Sequence, residues 1–141
     1  MIRIAISLIF IFLVGNTHAQ CKGFAKKECR PTLSPYTPSG QMNSATMYPG
    51  GTGEIMLTFY SRQSYRIVIC DDGILGPIPY KILDKDKNVI YDSETDSHKK
   101  RHFDFKLAST QQLVVLLTAP KDNGFNSKEI TCVSVMVGIK E

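Results

Sequence analysis

Five consecutive residues, His98, Lys99, Lys100, Arg101 and His102, put three fixed cations and two imidazoles on one short stretch. Clustered cations raise the local potential, and a guanidinium binds carboxylate or phosphate through paired N–H donors. Such a stretch can hold an anion or an acidic partner. His98 and His102 are also the only histidines beyond residue 19, so they are the candidates for acid–base work. A catalytic imidazole needs a nucleophile to activate and a carboxylate to orient it. Asp96 and Asp104 are near in sequence, but no serine sits in a G-x-S-x-G turn. The stretch reads as a solvated loop, or as an anion- or partner-binding loop for acidic glycan or lipopolysaccharide phosphate.

Asp84, Asp86 and Asn88 stand at alternate positions, the spacing at which oxygen ligands open a calcium loop. The helix–loop–helix calcium pattern then requires Gly at position 89 and Glu at 95, where Val89 and Thr95 stand. Asp and Asn also favour tight turns. The two readings are a hairpin turn and a calcium site helped by Asp92, with Asp71 and Asp72 as further ligands if the fold brings them near. No other cofactor is expected. Glu54, Glu94, Glu129 and Asp104 could serve a glycosidase, but no spacing pairs them. The chain has no Trp for a sugar platform, which leaves Tyr36, Tyr48, Tyr60, Tyr65, Tyr80 and Tyr91. Strand tyrosines are more often packing residues with a wet hydroxyl.

Cys21, Cys29, Cys70 and Cys132 are an even set. In an exported chain they read as two disulfides, with three pairings open. A helix over 22–28 would hold Cys21 and Cys29 too far apart to bond. Pairings that tie the N-terminal segment to the strands bearing Cys70 and Cys132 are therefore favoured. A zinc site is disfavoured, because there is no C-x₂-C pair and no histidine near a cysteine.

Export itself is read from residues 1–19. Arg3 precedes an apolar run over 4–14, and Thr17 and Ala19 then form a small-residue cleavage site. The run is about half the roughly 20 apolar residues that a spanning helix needs. Cys21 raises the question of lipid attachment, although Gln20 before it is a poor match to the small residue that such processing prefers. Cleavage after Ala19 would leave 122 of the 141 residues, one domain by size. It would also remove Arg3, lowering the formal charge from +4 to +3. A balance this small, with basic residues mostly scattered, argues against nucleic acid as a partner. No later apolar stretch reaches spanning length.

Position of these residues depends on the elements between them. Residues 21–30 suit a short helix ended by Pro31. Residues 31–53 hold Pro31, Pro35, Pro38 and Pro49 with Gly40, Gly50, Gly51 and Gly53, and read as a surface arm. From residue 54 the pattern turns to short strands: 55–60, 65–70, 78–83, 89–91, 102–107, 112–118 and 130–139. Phe103, Phe105 and Leu107 alternate with Asp104 and Lys106. The run over 113–117 is apolar throughout, as a strand covered on both faces would be. Pro77 and Pro79 suggest a strand start or an edge. With no room for crossover helices, the fold class is an all-β antiparallel sandwich of about seven strands, jelly-roll-like, over 54–141. A short helix and a Pro/Gly-rich arm over 20–53 precede it.

The motif Y-K-I-L-D-K-D-K-N-V-I-Y-D at 80–92, followed by F-D-F at 103–105, an apolar strand and a Cys-bearing last strand, resembles the jelly-roll sandwiches of the GOLD and bacterial pre-peptidase C-terminal type. The resemblance covers about two-thirds of the chain after residue 19. It implies binding of cargo, partner chains or glycans, and in some members calcium. The signal and the start at Gln20 and Cys21 resemble those of small exported proteins of Gram-negative bacteria. The reading is a secreted or periplasmic, non-catalytic binding or interaction domain whose partner is a protein or glycan of the cell envelope. Recognition would fall to loops at one end, 71–76, 84–88 and 119–128, or to the basic loop 96–102. The alternatives are a small hydrolase or hydrolase inhibitor, and an accessory subunit that lends a strand to a partner.

Overall fold

The computed structural model describes residues 19–121 and 130–141. All of the expected export signal except Ala19, and residues 122–128 of the expected 119–128 loop, lie outside the described residues.

Among the described residues two helices and eight strands follow in order: α1 (Ala19–Glu28), α2 (Arg30–Leu33), β1 (Thr37–Met47), β2 (Thr52–Phe59), β3 (Ser64–Asp71), β4 (Tyr80–Leu83), β5 (Val89–Asp92), β6 (His102–Lys106), β7 (Gln111–Thr118) and β8 (Thr131–Lys140). The strands form two four-stranded antiparallel sheets, ordered β1-β8-β3-β6 and β2-β7-β4-β5. Only β4 and β5 are consecutive within one sheet; every other connection crosses between sheets. All seven expected strands are present, with bounds within two residues of those expected except that β2 starts three residues earlier, at Thr52.

The eighth strand, β1, corrects the reading of 31–53 as an arm. It runs antiparallel to β8 from Thr37 to Met47, with eight of its eleven residues paired, and the sandwich therefore begins well before residue 54. A bulge between Pro38 and Met42, around Gly40 at φ 87°, breaks the alternation that would have marked a strand. Pro31 likewise does not end a helix. It lies in the first turn of α2, where its missing N–H costs nothing.

The inner faces of the two sheets make the core. Phe59, Tyr65, Ile67, Ile82, Leu113, Val115, Val135 and Val137 are all buried there. Phe59 meets Tyr65 and Phe105 edge-on, with ring centroids 4.9 and 5.0 Å away. A second apolar cluster lies on the outer face of the β1–β6 sheet. Cys29, Leu33, Val68, Cys70 and Met136 are buried in it, with Phe24 and Met42 packed alongside. The period-2 alternation of β3 sends Ile67 and Ile69 into the first cluster, and Val68 and Cys70 into the second.

Both disulfides fasten the helices to this outer face: Cys21 bonds Cys132 on β8, and Cys29 bonds Cys70 on β3. Arg66 fixes the chain that leaves α2. Its Nη1 donates to the carbonyls of Thr32 and Ser34 at 3.1 and 2.7 Å, while its Nε and Nη2 grip Asp104, each at 2.7 Å. Its guanidinium also lies 4.7 Å from the centroid of the Tyr36 ring.

Candidate functional site

Strand directions decide which loops share an end. Met47 pairs with Thr131, Asp71 with Val133, and Thr52 with Thr118, while Lys81 pairs with Asp92. The β1–β2, β3–β4, β5–β6 and β7–β8 connections therefore gather at one end of the sandwich. The β4–β5 hairpin over 84–88 lies at the other end, which corrects its grouping with loops 71–76 and 119–128.

At the four-loop end a cleft of about 440 Å³ opens between the β3–β4 and β5–β6 connections. Ile69, Pro77, Ile78 and Pro79 give it apolar walls, and Lys99, Lys100 and Arg101 stand at its cationic side. Asp71 and Glu94 also line it. The buried Asp71 takes the N–H of Gly73 on Oδ1 at 3.0 Å, and its Oδ2 lies 3.9 Å from Arg101 Nη1. Among the described residues, Lys99 and Lys100 form no ion pair within the chain. Tyr48, Ile74 and Ile130 add exposed apolar surface at this end. Exposed Lys121 adds another positive charge.

The cationic loop is held from within. The N–H of Glu94 donates to Asp92 Oδ1 at 3.0 Å, and Lys81 meets Asp92 Oδ2 at 3.0 Å; both hold this carboxyl below its usual range. Asp96 takes the N–H of His98 at 2.9 Å and the hydroxyl of Tyr91 at 2.8 Å, and its pKa is lowered for the same two reasons. Tyr80, deep in the cleft wall, donates its hydroxyl to the Lys100 carbonyl at 3.0 Å. Burial raises its pKa well above the usual phenol value, so it remains a neutral donor. Lys99 adopts φ 44°, a left-handed backbone that this hydrogen-bonded frame holds. Ile69 N–H donates to the Arg101 carbonyl at 2.9 Å, tying the end of the loop to β3.

His98 and His102 do not line this cleft. His98 is exposed at the loop surface. His102 opens β6 and pairs with Val68, whose side chain packs in the outer-face cluster. Burial lowers the His102 pKa below its ordinary 6.5, with the nearby Arg66 charge acting in the same direction. The fold thus favours the neutral ring. The stability gained is complete above that ordinary value and is lost as pH falls through the lower, folded one. Urea midpoints taken between neutral and mildly acid pH should fall less steeply in His102→Gln than in the parent.

Asp84 and Asn88 are brought together, but the hairpin uses their atoms. Asp84 Oδ1 takes the N–H groups of Asp86 and Asn88 at 2.8 and 2.9 Å, and Oδ2 takes Asn88 Nδ2 at 2.9 Å. Asp86 pairs with Lys85 at 2.7 Å. Asp71, Asp72 and Asp92 all lie toward the opposite end. Among the described residues no group of three or more His, Cys, Asp or Glu side chains could hold a metal ion. No described helix is long and apolar enough to cross a membrane.

The fold has a solved counterpart. The chain is similar to PliG of Aeromonas hydrophila, a periplasmic lysozyme inhibitor of g-type lysozyme, with 11% identity, 71% of this chain and 85% of that chain covered, and a TM-score of 0.50. A mutant of the Escherichia coli PliG, also a periplasmic inhibitor of g-type lysozyme, matches at 12% identity over 76% of this chain and 91% of that one, with a TM-score of 0.39. At such identities the likeness concerns the fold alone. No protein-family model and no curated protein matches the chain.

The cleft draws on residues that the sequence reading took only as a strand start or edge, Pro77 to Pro79, or as one of six platform or packing tyrosines, Tyr80. Pro77, Ile78 and Pro79 form its wall, and Tyr80 supports the basic loop from beneath. Their only signal was two prolines flanking a single isoleucine at the start of a strand.

Proposed function

We propose that this chain is an exported, non-catalytic protein-binding domain that inhibits a glycan-cleaving enzyme of the lysozyme type. The observation that carries the reading is the pre-formed cationic loop at the four-loop end. Glycoside hydrolases place paired carboxylates across the bond they cut, so their clefts are acidic. Lys99, Lys100 and Arg101, held by Asp92, Asp96, Tyr80 and Tyr91, form a rigid complement to such a cleft. Rigidity matters because a loop ordered in advance loses little entropy on docking. Tyr48, Ile74 and Ile130 provide apolar contacts beside the charges, the mixture usual in protein interfaces.

A non-catalytic role is consistent with the commitment of polar groups in the cleft lining: Asp71 takes the Gly73 N–H and faces Arg101, and Ser93 accepts the Tyr80 N–H at 2.9 Å. The fold likeness to PliG is consistent with an inhibitor, and the two disulfides with an oxidising compartment such as the periplasm.

The test is lysis of a peptidoglycan suspension by g-type lysozyme with increasing amounts of this protein. The expected result is inhibition that saturates near one equivalent, and no lysis by the protein alone. Undiminished lysis by g-type and other lysozyme types in excess protein would overturn the reading.

A further inference from the structure

Four strands lie at sheet edges, and three of them are blunted against pairing. β1 carries Pro38 and the bulge before Met42. β5 has four residues and a register shift opposite β4. β6 has five residues, among them His102, Asp104 and Lys106. β2 differs: it runs Thr-Gly-Glu-Ile-Met-Leu-Thr-Phe for eight residues in unbroken register with β7, and holds no proline, no lysine and no bulge. Among the described residues nothing pairs with its free side. Long regular edges of this kind are templates for another strand.

The side chains indicate which strand. On the outer face of this sheet, Met56 pairs with Val114, Val114 with Leu83, and Leu83 with Val89. This apolar row ends at the β2 edge on Met56, which is 64% exposed. We propose that β2 pairs antiparallel with β2 of a second copy of this chain, about a two-fold axis at Met56.

In that register Met56 lies opposite the partner copy's Met56, and the two apolar rows join into one across an eight-stranded sheet. Ile55, half-buried at the edge, lies opposite Leu57 on the inner face. Glu54 lies opposite Thr58, so no like charges face each other. The surface beside the axis is neutralised within each copy, because Glu54 pairs with Lys87 at 2.9 Å and Lys81 with Asp92 at 3.0 Å. A second copy of a basic chain can approach here without the repulsion it would meet at the cationic end. The self-matching register favours a second copy over a foreign strand. An antiparallel two-fold also points the two loop ends in opposite directions and leaves both free.

Sedimentation velocity from low micromolar to near-millimolar concentration tests this. The expected result is a reversible monomer–dimer equilibrium in the parent, weakened at least about tenfold by Met56→Lys, which sets like charges directly opposite each other. Val89→Lys, at the far edge of the same sheet, should leave the equilibrium unchanged. Circular dichroism of each variant establishes that it is folded. A parent that stays monomeric throughout, a dimer that survives Met56→Lys in a folded chain, or one that is lost in Val89→Lys instead would each overturn the proposal. The lysis assay is read separately, so inhibition by a strict monomer would leave the proposed function standing and remove this inference alone.

Discussion

Reversing Lys99, Lys100 and Arg101 together to glutamate should weaken binding to g-type lysozyme at least about a hundredfold, or about 2.8 kcal/mol at 1.4 kcal/mol per decade. Like charges brought together at an interface cost several kcal/mol, whereas loss of an exposed cation alone costs much less. Reversal therefore separates a loop that enters an acidic cleft from one that lies at the rim. Isothermal titration of parent and variant gives the ratio directly. The frame of the loop uses Asp92, Asp96, Tyr80 and Tyr91 and the backbone of the three changed residues, so the variant should stay folded, with its unfolding midpoint lowered only through loss of the Arg101 contact to the buried Asp71. Full binding by the variant would remove the loop from the interface and direct attention to Tyr48, Ile74 and Ile130.

Phe59→Ala should lower the unfolding free energy by about 3–5 kcal/mol. The ring is wholly buried and sits edge-on to both Tyr65 and Phe105, so truncation leaves a cavity that two stiff rings cannot fill. Tyr65 cannot turn into the space freely, because its hydroxyl donates to Gln63 Oε1 at 2.7 Å and accepts the Tyr60 N–H at 3.0 Å. Urea unfolding should show a lower midpoint with an unchanged slope. A loss below about 1 kcal/mol would mean that the cavity collapses and that the packing is looser than these contacts imply.

Seven of the eight strands were legible in the sequence: most bury at least one face in whole or in part, and the exposed β5 was marked by the Asp- and Asn-rich hairpin loop before it. Phe103 and Phe105 alternate with charged residues, and the run over 113–117 is almost wholly covered. β1 escaped notice because most of it is exposed and its bulge interrupts the period. The favoured cysteine pairings followed from helix geometry, and the bonds Cys21–Cys132 and Cys29–Cys70 agree with it. Only three of the five residues of the basic stretch converge on the cleft: Lys99, Lys100 and Arg101 do, while strand pairing with Val68 carries His102 to the opposite side of β6. Which loops share an end could not be read locally. It depends on the crossing of nearly every connection between sheets, which no short motif encodes. The 84–88 hairpin was misplaced for that reason.

The staples that fasten the helices also impose an order on maturation. A chain that emerges from its N-terminus presents Cys21 and Cys29 first, yet their partners lie 111 and 41 residues further on. Cys29 can close once β3 has emerged, but Cys21 must wait for the last strand. Until α1 coils, the two early thiols are free to bond each other. Once it coils, about 1.5 Å of rise per residue carries them beyond reach. Helix formation thus acts as a proofreading step for oxidation, and a thiol–disulfide isomerase is most useful in the interval before it.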